Sequence, residues 1–409
     1  MNARALSIRN SNVWLQATVS FPTLAQASDR ESRAKPPMWL WIPDRASGPS
    51  GMTPPGLGRS TATRKLLAFL LAFLPASAMA QSYGGLGDAA PGFDLPKRGT
   101  PIVFPKDHGA HPRFRTEWWY LTANLDGADG AAYGMQWTLF RFGLEPPRQQ
   151  NEGWDDRNVW MAHAAVTSAN EHFFAETKAR GGVGTAGVEA DPFKAYIDDW
   201  SFEAQGADFG EARVVAHAPE FSYSLDLTRG GPFVLQGDAG FSQKAETGQA
   251  SHYYSQPFFS VGGTLKLHGR DIAVTGRAWM DREWSSQTLA PDQKGWDWFS
   301  LHLTNGDALM LFRFRGPRDY VSGNWISADG ATTLLAADEI SLTPLAQTAI
   351  GAHSLPTRWR VQIKSRGLDI ETTPLNPKSW MGGNWAYWEG PISFQGSQAG
   401  EGYLEMTGY

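Results

Sequence analysis

The chain has 409 residues, with 36 Lys+Arg against 41 Asp+Glu and no cysteine. Without cysteine there is neither a disulfide nor a thiolate nucleophile, so the core must hold the fold by itself. Nine of the basic and three of the acidic residues precede Gln81, leaving 27 basic and 38 acidic from there on, a net charge of −11. That balance argues against nucleic acid or an anionic membrane surface as partner, because both need clustered cations.

Taken in order, the chain opens with residues 1–80, read as an N-terminal extension plus a secretory signal peptide cleaved after Ala80. Arg64 and Lys65 precede a nine-residue apolar run, LLAFLLAFL, then Pro75 and the small-x-small pattern Ala78-Met79-Ala80. The run is shorter than the roughly 18 residues a membrane-crossing helix needs, so no transmembrane anchor is expected. Met52 is an alternative start that gives a leader of ordinary length. The expected location is periplasmic or secreted.

Residues 81–112 are rich in Gly and Pro and read as an extended lead-in. From Thr116 onward, short aromatic and β-branched runs are broken by Gly, Asn-Gly and Asp-Gly signals with no sustained 3.6-residue period, which predicts an all-β protein. An internal repeat organises it. Leu139-Phe140-Arg141-Phe142 recurs as Leu311-Phe312-Arg313-Phe314, and the strands Trp119-Tyr120 and Trp298-Phe299 each run at one spacing to a turn glycine, Gly127 and Gly306. The copies close alike, with Tyr253-Tyr254 against Tyr387-Trp388 and Thr275-Gly276 against Thr407-Gly408. The repeat predicts a first domain over 113–277, a connector over 278–285 and a second domain over 286–409, each an antiparallel barrel or sandwich.

The connector, AWMDREWS, holds the densest candidate chemistry. In an extended chain Trp279, Asp281 and Glu283 share one face while Met280, Arg282 and Trp284 take the other. A carboxyl on an aromatic, water-poor face is driven toward its neutral form and can donate a proton near pH 7. The bland alternative is an ion pair with Arg277 or Arg282. His252, before Tyr253-Tyr254, could reach the same place, or be an ordinary core histidine. Tryptophan is abundant, with 15 of 18 beyond the leader. Trp118, Trp119 and Trp284 are candidate walls for an elongated apolar, π-rich or sugar-like ligand, or else plain barrel core. In HPRFRTEWWY, Arg113, Arg115 and Glu117 suggest an ion pair. His108 and His111 have metal-compatible spacing but no accompanying ligand set, so neither a metal nor a cofactor is expected. No nucleophile elbow or phosphate-binding glycine loop occurs.

The segments TEWWYLTANL, HYYSQPFF, WMDREWS, GWDWFSLHL, NGDALMLFRFR and EGPISFQGSQAGEGYLEMTGY together resemble the secreted AttH-like proteins, relatives of carotenoid 1,2-hydratase. The resemblance covers nearly all of residues 100–409. It implies two tandem lipocalin-like antiparallel β-barrel domains, and a reaction in which an acid protonates an isoprenoid double bond and water adds to the cation. Carried across by position, Asp281 becomes the acid, Trp279 and Tyr254 cation-stabilising walls, and His252 a positioner, with Glu283 a possible helper. The hydratases flank the aspartate with histidines; here Met280 and Arg282 stand instead, a departure that bears on a carotenoid substrate.

The expected function is therefore a hydro-lyase of the hydratase type acting on an apolar isoprenoid or lipid-like substrate. The competing reading is a non-catalytic lipocalin-like carrier of a hydrophobic molecule, and a weaker one is a secreted hydrolase.

Overall fold

The computed structural model describes residues 83–147, 153–206 and 208–409. The extension and signal peptide expected over 1–80 lie outside the described residues. No helix among the described residues is long and apolar enough to cross a membrane.

The first sheet begins with four long strands: β1 (Thr116–Gly127), β2 (Ala132–Gly143), β3 (Asn158–Ser168) and β4 (His172–Arg180). Five shorter ones follow: β5 (Ala186–Ala190), β6 (Phe193–Ile197), β7 (Trp200–Ala204), β8 (Glu211–His217) and β9 (Phe221–Arg229). It ends with β10 (Val234–Leu235), β11 (Phe241–Gln243), β12 (Ala250–Leu267) and β13 (Arg270–Ser285). Their order is β4-β3-β2-β1-β13-β12-β9-β8-β7-β6-β5, with β10 and β11 also on β12. Every pairing is antiparallel, and the sheet curls into a near-barrel.

The second sheet is a half-barrel of ten strands. It starts with β14 (Gly295–Leu303), β15 (Ala308–Arg315), β16 (Tyr320–Ile326), β17 (Thr332–Leu334) and β18 (Ile340–Ile350). It continues with β19 (His353–Ile363), β20 (Leu368–Pro374), β21 (Trp380–Met381), β22 (Tyr387–Gly396) and β23 (Gly400–Thr407). The order is β17-β16-β15-β14-β23-β22-β20-β19-β18, with β21 on β22. Both sheets place their first strand between the second and the last, so the repeat is real as topology.

Its register differs from the sequence alignment. Gly130 and Gly306, both at positive φ, close the first hairpin of each sheet, their N–H groups bonding Gly127 and Leu303 carbonyls. Gly276 opposes Leu125 and Gly402 opposes Leu301, and at each glycine a Cβ would strike a neighbouring carbonyl, of Asn124 or Ser300. The first alignment is thus off by three residues, because any turn glycine satisfies a sequence match while only one sits at the required φ. Counting from Gly276 and Gly402, Ala278 to Asp281 correspond to Leu404 to Thr407. The expected connector is not a linker: Ala278–Ser285 is the inner half of β13, hydrogen-bonded to β1 and β12. The sheets are joined instead by residues 286–294.

Period-two alternation distributes most of the apolar residues into three large cores, beside a small fourth cluster of Ala165, Met381 and Tyr387. Trp119, Leu121, Trp137, Met280 and Trp284 fill the near-barrel, and Phe299, Leu301, Leu311 and Trp359 fill the half-barrel. The third core lies between the sheets and holds Tyr120, Tyr253, Trp279, Trp298 and Phe312. Each large ring buried there contributes at most about 4–6 kcal/mol, from roughly 150–250 Å² of area at about 25 cal/mol per Å². The LFRF pairs serve this layering: Leu139 and Leu311 enter their own sheet's core, while Phe140, Phe312 and Phe314 turn to the cavity between sheets.

Candidate active site

Where the two sheets face each other they leave a cleft with about 670 Å³ of atom-free space, part of it open to solvent. Its walls are rings, chiefly Trp118, Tyr120, Trp296, Trp298, Phe312 and Phe314, broken by the carboxylates Asp281, Glu283 and Glu405 and by Lys244. The lead-in contributes as well. Tyr83 and Leu86 line the cleft, so this segment is part of the site rather than a simple extended approach.

The strand register builds the near wall. Asp281 opposes Tyr120 on one side and Ser255 on the other, and Glu283 opposes Trp118 and Tyr253. Directly paired residues share a face, which brings all six to the cleft side. Asp281 is 4% exposed. Its Oδ1 accepts from Ser255 Oγ at 2.5 Å and Trp279 Nε1 at 2.7 Å, and its Oδ2 from the Tyr253 hydroxyl at 2.5 Å. Burial pushes the carboxyl up to about 7, against the opposing pull of those three donors. Glu283 is held by Ser251 and by Lys244 Nζ at 2.6 Å from its Oε1. Lys244 is fully buried over the Phe312 ring, 4.0 Å from its centroid; burial lowers its pKa, while Glu283 and Asp281 oppose that shift.

The far wall carries a second acidic pair that the sequence did not single out. Glu389 and Glu405 are direct partners on β22 and β23. Glu389 accepts from the Tyr120 hydroxyl, and Glu405 from Trp296 Nε1 at 2.6 Å. Burial raises both, and Glu405 raises Glu389 further by like charge. The signal available was the alternation Tyr403, Glu405, Thr407 along β23, read against Trp296 and Trp298 on β14.

Of the residues singled out from sequence, Asp281, Glu283 and Trp118 line the cleft, and Trp279 stands behind Asp281 as a donor. His252, Tyr254, Trp119 and Trp284 do not join them. They lie on the opposite face of the same strands, because each is one residue out of phase with the site. Trp119, Tyr254 and Trp284 belong to the near-barrel core, and His252 packs beside Trp284. Tyr254 bonds His108 Nδ1 at 2.7 Å, and Tyr253 is the tyrosine at the site.

That barrel side has its own charge cluster. Glu117 is fully buried between Arg141 and Arg282, and Arg282 sits over the Trp119 ring, 3.9 Å from its centroid. The two arginines overcome burial and hold Glu117 well below the usual carboxylate range. Arg282 therefore points away from Asp281, and Arg113 pairs with Asp94 rather than Glu117. His111 stacks on Trp284 and contacts Asp107 and Glu117. Among the described residues no group of three or more His, Asp or Glu is placed to hold a metal ion.

The profile of the AttH-like family matches residues 95–409. The chain belongs to the AttH-like family. A candidate AttH of Nitrosomonas europaea is similar in structure at 34% identity and a TM-score of 0.69, covering 78% of this AttH-like chain and 100% of that one. Kievitone hydratase of Nectria haematococca shares the fold at 16% identity and a TM-score of 0.60, over 77% of this chain and 96% of that one. No curated protein matches the chain. The two curled antiparallel sheets of this AttH-like protein are lipocalin-like.

Proposed function

We propose that this AttH-like protein is a hydratase in which Asp281 protonates a carbon–carbon double bond of an apolar, isoprenoid or lipid-like substrate and water adds to the resulting cation. The observation that carries this reading is a carboxyl raised to about 7 at the wall of a ring-lined cleft. A group with that value is protonated in useful amount at neutral pH and is a strong enough acid to give the proton up. The Asp281 proton bonds to one alkene carbon and the π electrons form that bond, leaving a cation on the other carbon. Trp298 and Tyr120 present ring faces or edges to the same space, and a cation over such a face gains about 0.5–2 kcal/mol. The three donors on Asp281 stabilise the carboxylate as it forms. Water oxygen then bonds to the cation, its surplus proton passes to a carboxylate of the cleft, and Asp281 is reprotonated. A hydratase of the same fold supports the reaction class.

The test is incubation with a panel of isoprenoid olefins in ¹⁸O-labelled water, read by mass spectrometry. Wild type is expected to add one labelled water, and Asp281→Asn to lose about 100-fold or more in rate. Equal turnover by the Asn variant would end the acid assignment. A lipid recovered unchanged from both proteins favours the carrier reading.

We place this activity in the exported compartment, supported by the leader pattern over residues 64–80. The mature protein is then expected to begin at Gln81, and an exported form starting near Asn2 would refute it.

A further inference from the structure

Asp281 and Glu283 stand two residues apart on β13 and both line the cleft, so their side chains leave one face of the strand from backbone positions roughly 6.5 Å apart. Their surroundings differ. Asp281 accepts from three neutral donors and has no cation partner among the described residues. Glu283, 2% exposed, is ion-paired with Lys244 at 2.6 Å. Rings of both sheets enclose that ammonium, Phe312 at 4.0 Å, Tyr253 at 5.0 Å and Phe314 at 5.5 Å, and Gln293 Nε2 donates to the Lys244 carbonyl at 2.9 Å. The cation is thus fixed against one carboxyl and not the other. The Lys244 and Ser251 contacts both fall on Glu283 Oε1. Oε2 of this cleft-lining residue accepts no hydrogen bond from the described residues.

We propose that Glu283 is the general base of the hydration, and that Asp281 and Glu283 therefore add hydrogen and hydroxyl to the same face of the double bond. This role rests on the reaction proposed above. An acid and a base need opposite protonation states at one pH, and two carboxyls can supply both when their surroundings differ in this way. Burial without a cation raises Asp281 to about 7, whereas an ammonium at ion-pair distance favours a carboxylate. As the Asp281 proton bonds to one alkene carbon with the π electrons, a lone pair of water bonds to the other. Glu283 Oε2 accepts a proton from that oxygen, the O–H electrons stay on oxygen, and a neutral alcohol results. Water bonded to a cation is a strong acid, so a carboxylate that also holds Lys244 and Ser251 is basic enough to deprotonate it. Asp281 then ends as the carboxylate and Glu283 as the acid, and one proton passing between them in the solvent-open cleft resets both.

Both groups act from β13, which sets the stereochemistry, just as the placement of two carboxyls around a reacting bond does in general. Their spacing spans a double bond and a water hydrogen-bonded to the base. The far wall is a poorer source of the base. Glu389 and Glu405 pair with no Lys or Arg among the described residues, and burial raises both, Glu405 to about 8, so the pair accepts a proton poorly at neutral pH.

The test is turnover in D₂O of an isoprenoid olefin whose cation-forming carbon carries two different groups, with the configuration of the deuterated alcohol read by NMR. Wild type is expected to give the syn alcohol, and the anti alcohol or a mixture overturns the role of Glu283. Glu283→Gln is expected to lose about 100-fold in kcat with KM unchanged. The double variant with Lys244→Met, which leaves no unpaired ammonium, is expected to lose as much, and a wild-type rate in either overturns the role. Infrared spectra without substrate, taken near pH 6, are expected to lose a carboxylic-acid band in Asp281→Asn and none in Glu283→Gln. A band lost in Glu283→Gln overturns the base whether or not an olefin is hydrated. If wild type hydrates no olefin, the reaction fails and this role with it, whereas hydration that ignores Glu283 leaves the acid assignment standing.

Discussion

The hydroxyl of Tyr253 donates to Asp281 at 2.5 Å, while Tyr254, the next residue, bonds His108 at 2.7 Å on the other side of the sheet. One step along β12 separates the candidate active site from the barrel core. Tyr253→Phe removes a donor that favours ionised Asp281, so the Asp281 pKa should rise further. A charge-assisted hydrogen bond of about 1.5–3 kcal/mol corresponds to roughly 1–2 pKa units. Tyr254→Phe should leave that titration unchanged and cost only about 1 kcal/mol of stability. Carbon-13 NMR of labelled aspartate distinguishes them, and equal shifts in both variants would contradict the assignment.

Asp281 also predicts how stability depends on pH. Its folded value, about 7, lies above the ordinary 3.8, so the folded state binds a proton that the unfolded chain has already released. The contribution is fully present below about pH 4 and is lost as pH rises through 7, by on the order of 4 kcal/mol. Asp281→Asn removes this term. Urea midpoints at pH 5 and pH 8 should therefore fall more steeply for wild type than for the Asn variant, and parallel changes would mean that Asp281 ionises normally.

Lys244 and Glu283 form a buried pair in the cleft wall. Lys244→Met leaves a buried carboxylate without its cation and is expected to cost about 3–5 kcal/mol. Adding Glu283→Gln should recover most of that, because the remaining polar group is neutral and still bonded by Ser251. Chemical denaturation of the two singles and the double measures the coupling. A double variant no more stable than Lys244→Met would show that the pair does not act as a unit.

Alternation along the chain was enough to put Trp279, Asp281 and Glu283 on one face and Trp284 on the other. The same rule forbids Trp118 and Trp119 from sharing a site, as it does Tyr253 and Tyr254. What it could not say is which member of each pair faces the cleft. That depends on the pairing of β1 and β12 with β13, which sets Tyr120 and Ser255 beside Asp281. His252 and Tyr254 were placed by resemblance at the level of a short motif, and a one-residue shift in a strand reverses the face.

By itself, the sequence determined the all-β class, the twofold repeat and the family, because these rest on local spacing, residue type and motif, and it offered Asp281 ahead of Glu283 as the proposed acid only through the family resemblance. Only the tertiary structure decided that Ala278–Ser285 is a central strand, that the cleft lies between the sheets, and that Glu389 and Glu405 complete it from the second copy. Those facts depend on contacts between residues more than a hundred positions apart. Strand register and sheet-on-sheet packing are settled by the cooperative burial of whole faces, which no short stretch of sequence encodes.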